Sequence, residues 1–120
     1  MTDREPFEWH RVGEDILREA VYEAYKAHKA LGNSIIICTG RDGCCEEKTK
    51  DWLKRHDIVY DEFYIRKKND SKKDYIVKHE MWSEICKDYH IVAMYDDRDQ
   101  VVNHGRKLGF NIFQVNYGNF

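Results

Sequence analysis

Asp96 and Asp97 stand side by side directly after the apolar run Ile91-Val92-Ala93-Met94-Tyr95. That run is expected to form a buried strand, and acids at the carboxyl end of such a strand lie where open α/β sheets place their ligands. Carboxylate oxygens are also the donors that a hard divalent cation such as Mg²⁺ takes. The alternative is a plain strand-to-helix turn, since Asp is a good N-cap and helix starts favour negative charge. Thr39-Gly40-Arg41 likewise follows an apolar run, Ile35-Ile36-Ile37-Cys38, so both clusters are expected on one edge of a parallel sheet. A hydroxyl with free turn amides can bind a phosphoryl group, and an arginine can fork two of its oxygens. An ordinary glycine turn beside a surface Arg is the alternative there. Asp74 and Lys78 are four residues apart on an expected helix and share a face. They are either a surface ion pair or a lysine held by an aspartate and aimed at a phosphate.

These residues need elements to position them. From about Glu14, Ile16, Leu17, Ala20, Val21, Ala24, Ala27 and Leu31 recur with helical period, and Gly32 stands where a C-terminal cap belongs. The run Ile35–Cys38 reads as a strand buried on both faces. A second helix carries Cys45, Thr49, Trp52 and Leu53 on one face, and a strand follows around Phe63-Tyr64-Ile65. A third helix is expected from about Lys73 to Cys86 with Val77, Met81 and Ile85 inward, and Ser71 and Asp74 have capping-box spacing. A strand from Ile91 to Tyr95, a helix over Val101-Val102 to Leu108, and a strand over Ile112-Phe113-Gln114-Val115 complete the order. Alternation of this kind implies an α/β fold, a parallel sheet flanked by helices. It begins with a helix where such folds ordinarily begin with a strand.

At 120 residues, with one proline and no repeat, the chain is expected to be a single domain over 1–120. Acids outnumber bases 22 to 20, which excludes a global basic field for nucleic acid. Arg66-Lys67-Lys68 and Lys72-Lys73 are expected in solvated loops. Cys38, Cys44, Cys45 and Cys86 lack zinc-finger spacing, and reduced thiols in a cytoplasmic protein are expected. No apolar run is long enough to cross a bilayer.

An apolar strand ending in Thr-Gly-Arg, a helical Lys, then an apolar strand ending in Asp-Asp resembles, in that order, the haloacid dehalogenase (HAD) phosphohydrolase superfamily. More narrowly, it resembles the 3′-phosphatase domain of phage-type polynucleotide kinase-phosphatases. The resemblance runs from Arg4 to Phe120. It is carried by Arg4-Glu5-Pro6-Phe7, Ile36-Ile37-Cys38-Thr39-Gly40-Arg41, Lys73-Asp74-Tyr75-Ile76-Val77-Lys78, Asp96-Asp97-Arg98-Asp99-Gln100-Val101-Val102 and Gln114-Val115-Asn116-Tyr117-Gly118-Asn119-Phe120. It implies a HAD-type, Rossmann-like parallel sheet and an Mg²⁺-dependent phosphomonoesterase acting on nucleotide or polynucleotide 3′-phosphates. By motif, Thr39 hydrogen-bonds the transferring phosphoryl and Lys78 neutralises its charge. Arg41 and Arg4 hold the substrate, Asp74 positions Lys78 or completes the charged site, and Asp96 and Asp97 hold Mg²⁺.

One part of the pattern is missing. The superfamily opens with a strand ending in D-x-D-G-T, whose first Asp attacks phosphorus and whose second is the general acid and base. No D-x-D-G-T occurs in these 120 residues, and no G-x-x-x-x-G-K-[ST] kinase loop either. The domain is therefore expected to be N-terminally incomplete, to lack its first, central strand, and to be inactive as this chain alone. A noncatalytic phosphate- or nucleic-acid-binding module, or a truncated product, is the alternative. Open strand edges are aggregation-prone, so an oligomer that covers them is a further expectation.

Overall fold

The computed structural model describes residues 19–120, in the order α1 (Glu19–Ala30), β1 (Ile36–Thr39), a 3₁₀ turn (Gly43–Cys45), α2 (Glu46–Arg55), β2 (Glu62–Ile65), α3 (Asp74–Ile85), β3 (Met94–Asp96), α4 (Asp99–Lys107) and β4 (Ile112–Gln114). The expected alternation of helices and strands is present. The part of the first helix expected before Glu19 and the segment around Arg4 lie outside the described residues. The described chain divides after Asp70 into two compact units. Each contains one strand-helix-strand repeat with a parallel strand pair, β1 with β2 and β3 with β4.

In the first unit α1 ends where Gly32, at φ +87°, takes the left-handed conformation that a glycine adopts at least cost. The hydroxyl of Tyr25 on α1 accepts from the Val59 amide at 2.8 Å, tying the helix to the segment before β2. Ile36 faces Glu62 and Thr39 faces Ile65 across the ladder. The expected burial of this strand on both faces is not found: Ile36, Ile37 and Cys38 are only half-buried, and Thr39 alone is buried. Among the described residues β1 has one strand partner, and a two-stranded ribbon buries less of each strand than a wider sheet does. Helix α2 buries Thr49 and Leu53 as its periodicity requires, and its acidic first turn and basic last turn complement the helix dipole.

In the second unit α3 presents one continuous face: Asp74, Val77, Lys78, Met81, Trp82 and Ile85 are all buried. Val101 and Val102 of α4 are fully enclosed. Gly105 is where α4 closes on its neighbours, because a Cβ there would meet the Ile112 side chain at 2.1 Å and Trp82 at 3.1 Å. The strand expected from Ile91 starts only at Met94, whose amide bonds Asn111 O and opens the ladder with β4. Before that point β4 offers no partner, and Val92 is exposed. The capping box expected from Ser71 does not form either. Lys73 is the N-cap of α3, without a side-chain cap, and Asp74 already lies inside the helix. No helix among the described residues is long and apolar enough to cross a membrane.

Candidate functional site

Thr39 is the last residue of β1, and its hydroxyl oxygen accepts the Arg41 amide at 3.1 Å, closing the turn on itself. That bond uses an acceptor position and leaves the hydroxyl proton to donate. The turn is held from behind by the loop after β2. Arg66, buried, donates from Nε to Gly40 O at 2.7 Å and from Nη1 to Asp70 O at 3.1 Å, while its amide bonds Thr39 O. Asp42 accepts from the amides of Cys44 at 2.9 Å and Asn69 at 3.0 Å. These two backbone bonds, Cys44 first, hold the Asp42 carboxyl below the usual carboxylate range. Gly43 has no room for a side chain, since a Cβ would lie 2.9 Å from both Arg66 O and Lys68 N.

Arg66 corrects the expectation of a solvated basic loop. Its burial follows from its place directly after β2, where its chain runs along the Thr39-Gly40-Arg41 turn and finds carbonyls that need a donor. The sequence signal was that position, an arginine ending an apolar strand. The four cysteines are free thiols, as expected. Cys44 lies 3.6 Å from Cys45, sulfur to sulfur, and the Asp42 carboxylate hydrogen-bonded to it pushes its thiol up to about 11.

The second unit holds the acidic pair. The Nζ of Lys78 meets Asp96 Oδ2 at 2.7 Å in a nearly enclosed ion pair, with side chains 7% and 16% exposed. The other oxygen of Asp96 accepts the Arg98 amide at 3.1 Å. Asp74, expected to position Lys78 or complete the charged site, pairs with Arg98 at 3.6 Å. So α3 delivers a carboxylate and an ammonium to the end of β3, four residues apart on one buried face. Each meets a partner from the segment carrying the acidic pair.

The chain end hooks around this segment. Gln114 donates to Asp97 O at 2.9 Å and to Asp99 Oδ1 at 2.6 Å, and the Asp99 amide donates to Gly118 O at 2.8 Å. Gly118 packs so closely on the Asp97 carbonyl that an added Cβ would lie 1.6 Å from it. Arg98 donates from Nε to Phe120 O at 2.6 Å and lies 5.1 Å from the centre of the Phe120 ring. Arg98, Gln114 and Gly118 were within the motif stretches, but nothing in their local pattern indicates what they do there. Their contacts exist only once the chain end returns to β3.

Among the described residues no cluster of three or more His, Cys, Asp or Glu is arranged to hold a metal ion. Asp96 and Asp97 are consecutive carboxylates at the end of β3, and that of Asp96 carries an ammonium and an amide. Such a pair fits a cation that keeps most of its ligands as water, which Mg²⁺ does.

The family model described as the polynucleotide kinase PNKP phosphatase domain matches residues 1–120. A protein of Autographa californica nuclear polyhedrosis virus named "Putative bifunctional polynucleotide kinase/RNA ligase" is 30% identical over 105 residues, which cover 82% of this chain and 15% of that protein. Two solved chains, one from the Pnkp1/Rnl/Hen1 RNA repair complex and one from a Pnkp1/Rnl/Hen1 complex, superpose with a TM-score of 0.92 at 35% identity over 98% of this chain. The matches cover 39% and 41% of those chains, so this chain spans well under half the length of the proteins it resembles. The α/β architecture, helices alternating with short parallel strands, is that of this HAD-type domain. The chain belongs to the polynucleotide kinase PNKP phosphatase domain family.

Proposed function

We propose that this chain is the phosphate- and Mg²⁺-binding portion of a phosphomonoesterase that removes 3′-phosphates from nucleic-acid ends, RNA ends first. The observation that carries this reading is the enclosed Lys78–Asp96 pair beside Asp97 and Arg98 at the end of β3. A buried ion pair contributes little net stability, whereas phosphoryl transfer depends on fixed charges of this kind. RNA is preferred because the names of the viral relative and of one solved complex both refer to it.

Thr39 donates its hydroxyl proton to a phosphate oxygen, and Arg41 and Arg4 hold the phosphate. Lys78 neutralises charge on the phosphoryl group. Asp74 acts through Arg98, which fixes the backbone beside the acids. Asp96 and Asp97 would hold Mg²⁺ with waters completing its shell, and the ion supplies charge neutralisation at the phosphate when bound. None of Thr39, Arg41 and Lys78 is a nucleophile with a neighbouring base, so the aspartate nucleophile comes from polypeptide outside these 120 residues. Among the described residues β1 and β3 each pair with one strand, and a further chain or a second copy would add at their other edges. A noncatalytic binder of phosphorylated ends is the second reading, favoured by the same missing motif.

The test is release of inorganic phosphate from a 3′-phosphorylated oligoribonucleotide with Mg²⁺ present. The purified chain should bind the end without turnover. A chain extended by an apolar strand ending in D-x-D-G-T should turn over, with Lys78→Ala and Arg41→Ala each strongly impaired. Steady turnover by the 120-residue chain overturns the assignment of the nucleophile. An extended chain that binds the end and stays silent supports the second reading.

A further inference from the structure

On the side of the second unit, His79 of α3 and His104 of α4 bring ring nitrogens together, Nδ1 to Nε2, at 2.9 Å. We propose that this interhelical pair is a binding site for a borderline transition-metal ion of the Ni²⁺, Zn²⁺ and Cu²⁺ class. It is separate from the carboxylate site and independent of the phosphatase reading.

Neutral imidazole nitrogen is the preferred donor for such ions, while Mg²⁺ takes oxygen. Nitrogens bound at about 2.0–2.1 Å stand roughly 2.9–3.4 Å apart when the angle at the metal lies between square and tetrahedral. The observed separation falls at the near end of that range. The two rings are tilted by 42° with centres 5.1 Å apart, and His79 is exposed, so its ring has room to turn and shift until its Nδ1 lone pair meets that of His104 Nε2 at a common ion.

The second ring is held in place already. Tyr75 meets His104 edge-on at 5.1 Å, and Trp82 lies nearly parallel to it at 6.2 Å. Trp82 is itself buried and packs against Phe110 at 5.6 Å. A ligand whose orientation is set by its neighbours loses little freedom on binding. The nearest acid along α3, Glu80, is engaged with Lys72 at 3.0 Å. No third His, Cys, Asp or Glu completes a cluster among the described residues, so water fills the remaining positions.

Without metal, one ring donates its N–H to the other. On binding, that proton moves through solvent to the remote nitrogen of the same ring, and both facing nitrogens donate lone pairs to the ion. The ion would bridge α3, next to Lys78, with α4, which begins at Asp99 after the acidic pair.

The experiment is titration of the tag-free 120-residue chain with NiCl₂ at neutral pH by calorimetry, alongside ¹⁵N imidazole spectra during addition of substoichiometric Cu²⁺. One equivalent of Ni²⁺ should bind, and Cu²⁺ should broaden His79 and His104 before the other histidines. Because losing a supporting contact alone costs about 10–100-fold in metal affinity, His79→Gln, at an exposed position, should weaken Ni²⁺ binding at least about tenfold. Wild-type melting temperature should rise with Ni²⁺, and that of His79→Gln should not. Unchanged affinity in His79→Gln, or first broadening at another histidine, overturns the site.

Discussion

Replacing Lys78 by Met removes the charge while keeping most of its buried stem, so it isolates the ion pair with Asp96. Two opposing terms set its size. Breaking a buried pair by deleting one partner costs about 3–5 kcal/mol, because a charge is left enclosed. Here the Asp96 side chain is 16% exposed and still accepts the Arg98 amide, which moderates the loss. A cost of about 3 kcal/mol at neutral pH is therefore expected. For a chain of this size that corresponds to a fall in melting temperature of roughly 10–20 °C. Lys78→Met with Asp96→Asn replaces the pair by neutral groups of similar shape, and should recover to within about 1.5 kcal/mol of wild type. Urea denaturation of the wild type, both single variants and the double variant closes the cycle, with a constant m-value as the control. The variant also separates the two ligands. Removing the ammonium should tighten Mg²⁺ binding at the acids and weaken binding of inorganic phosphate. A single variant within about 0.5 kcal/mol of wild type, or a double variant no better than the single, refutes the reasoning.

Three further outcomes follow from particular contacts. Gly118→Ala forces a methyl into the Asp97 carbonyl, and should destabilise the second unit by about 1–3 kcal/mol while loosening the Asp99 amide in hydrogen exchange; a protected Asp99 amide in that variant would contradict the hook. Asp42 has a carboxyl held below its ordinary 3.8, so the stability it adds is present above that value and lost as pH falls through the lowered one. Asp42→Ala should thus melt below wild type at pH 7, with the gap closing below about pH 4, and a gap independent of pH would count against the two backbone bonds. The Cys44 thiol, exposed yet pushed up to about 11, should react with iodoacetamide at pH 8 roughly a hundredfold more slowly than an ordinary thiol. Mass-spectrometric labelling at the rate of a free peptide thiol would disprove it.

The order of elements was readable from the sequence because it depends on local pattern. The four-residue spacing of Val77, Met81 and Ile85 and the apolar runs just before Thr39 and Asp96 each specify an element within a few turns of chain. Gly32 announced its helix end because a left-handed residue is a local need that glycine meets at least cost. Strand length and burial were not readable in this way. Ile91–Ala93 are as apolar as Met94, but a strand exists only where β4 supplies the hydrogen bonds, and β1 stays half-buried with one neighbour among the described residues. The partners within the site were also a tertiary matter. Four-residue spacing put Asp74 and Lys78 on one face, yet Arg98 and Asp96 arrive from 24 and 18 residues further along and take one each. Arg66 and Gly118 belong to the same class. One reads as a basic surface residue and the other as a loop glycine until the Thr39 turn and the Asp97 carbonyl are brought against them. Residue type and spacing determine which chemistry is available, but which carboxylate meets which cation is decided when distant segments close over a common strand end, where burial leaves no water to take a partner's place.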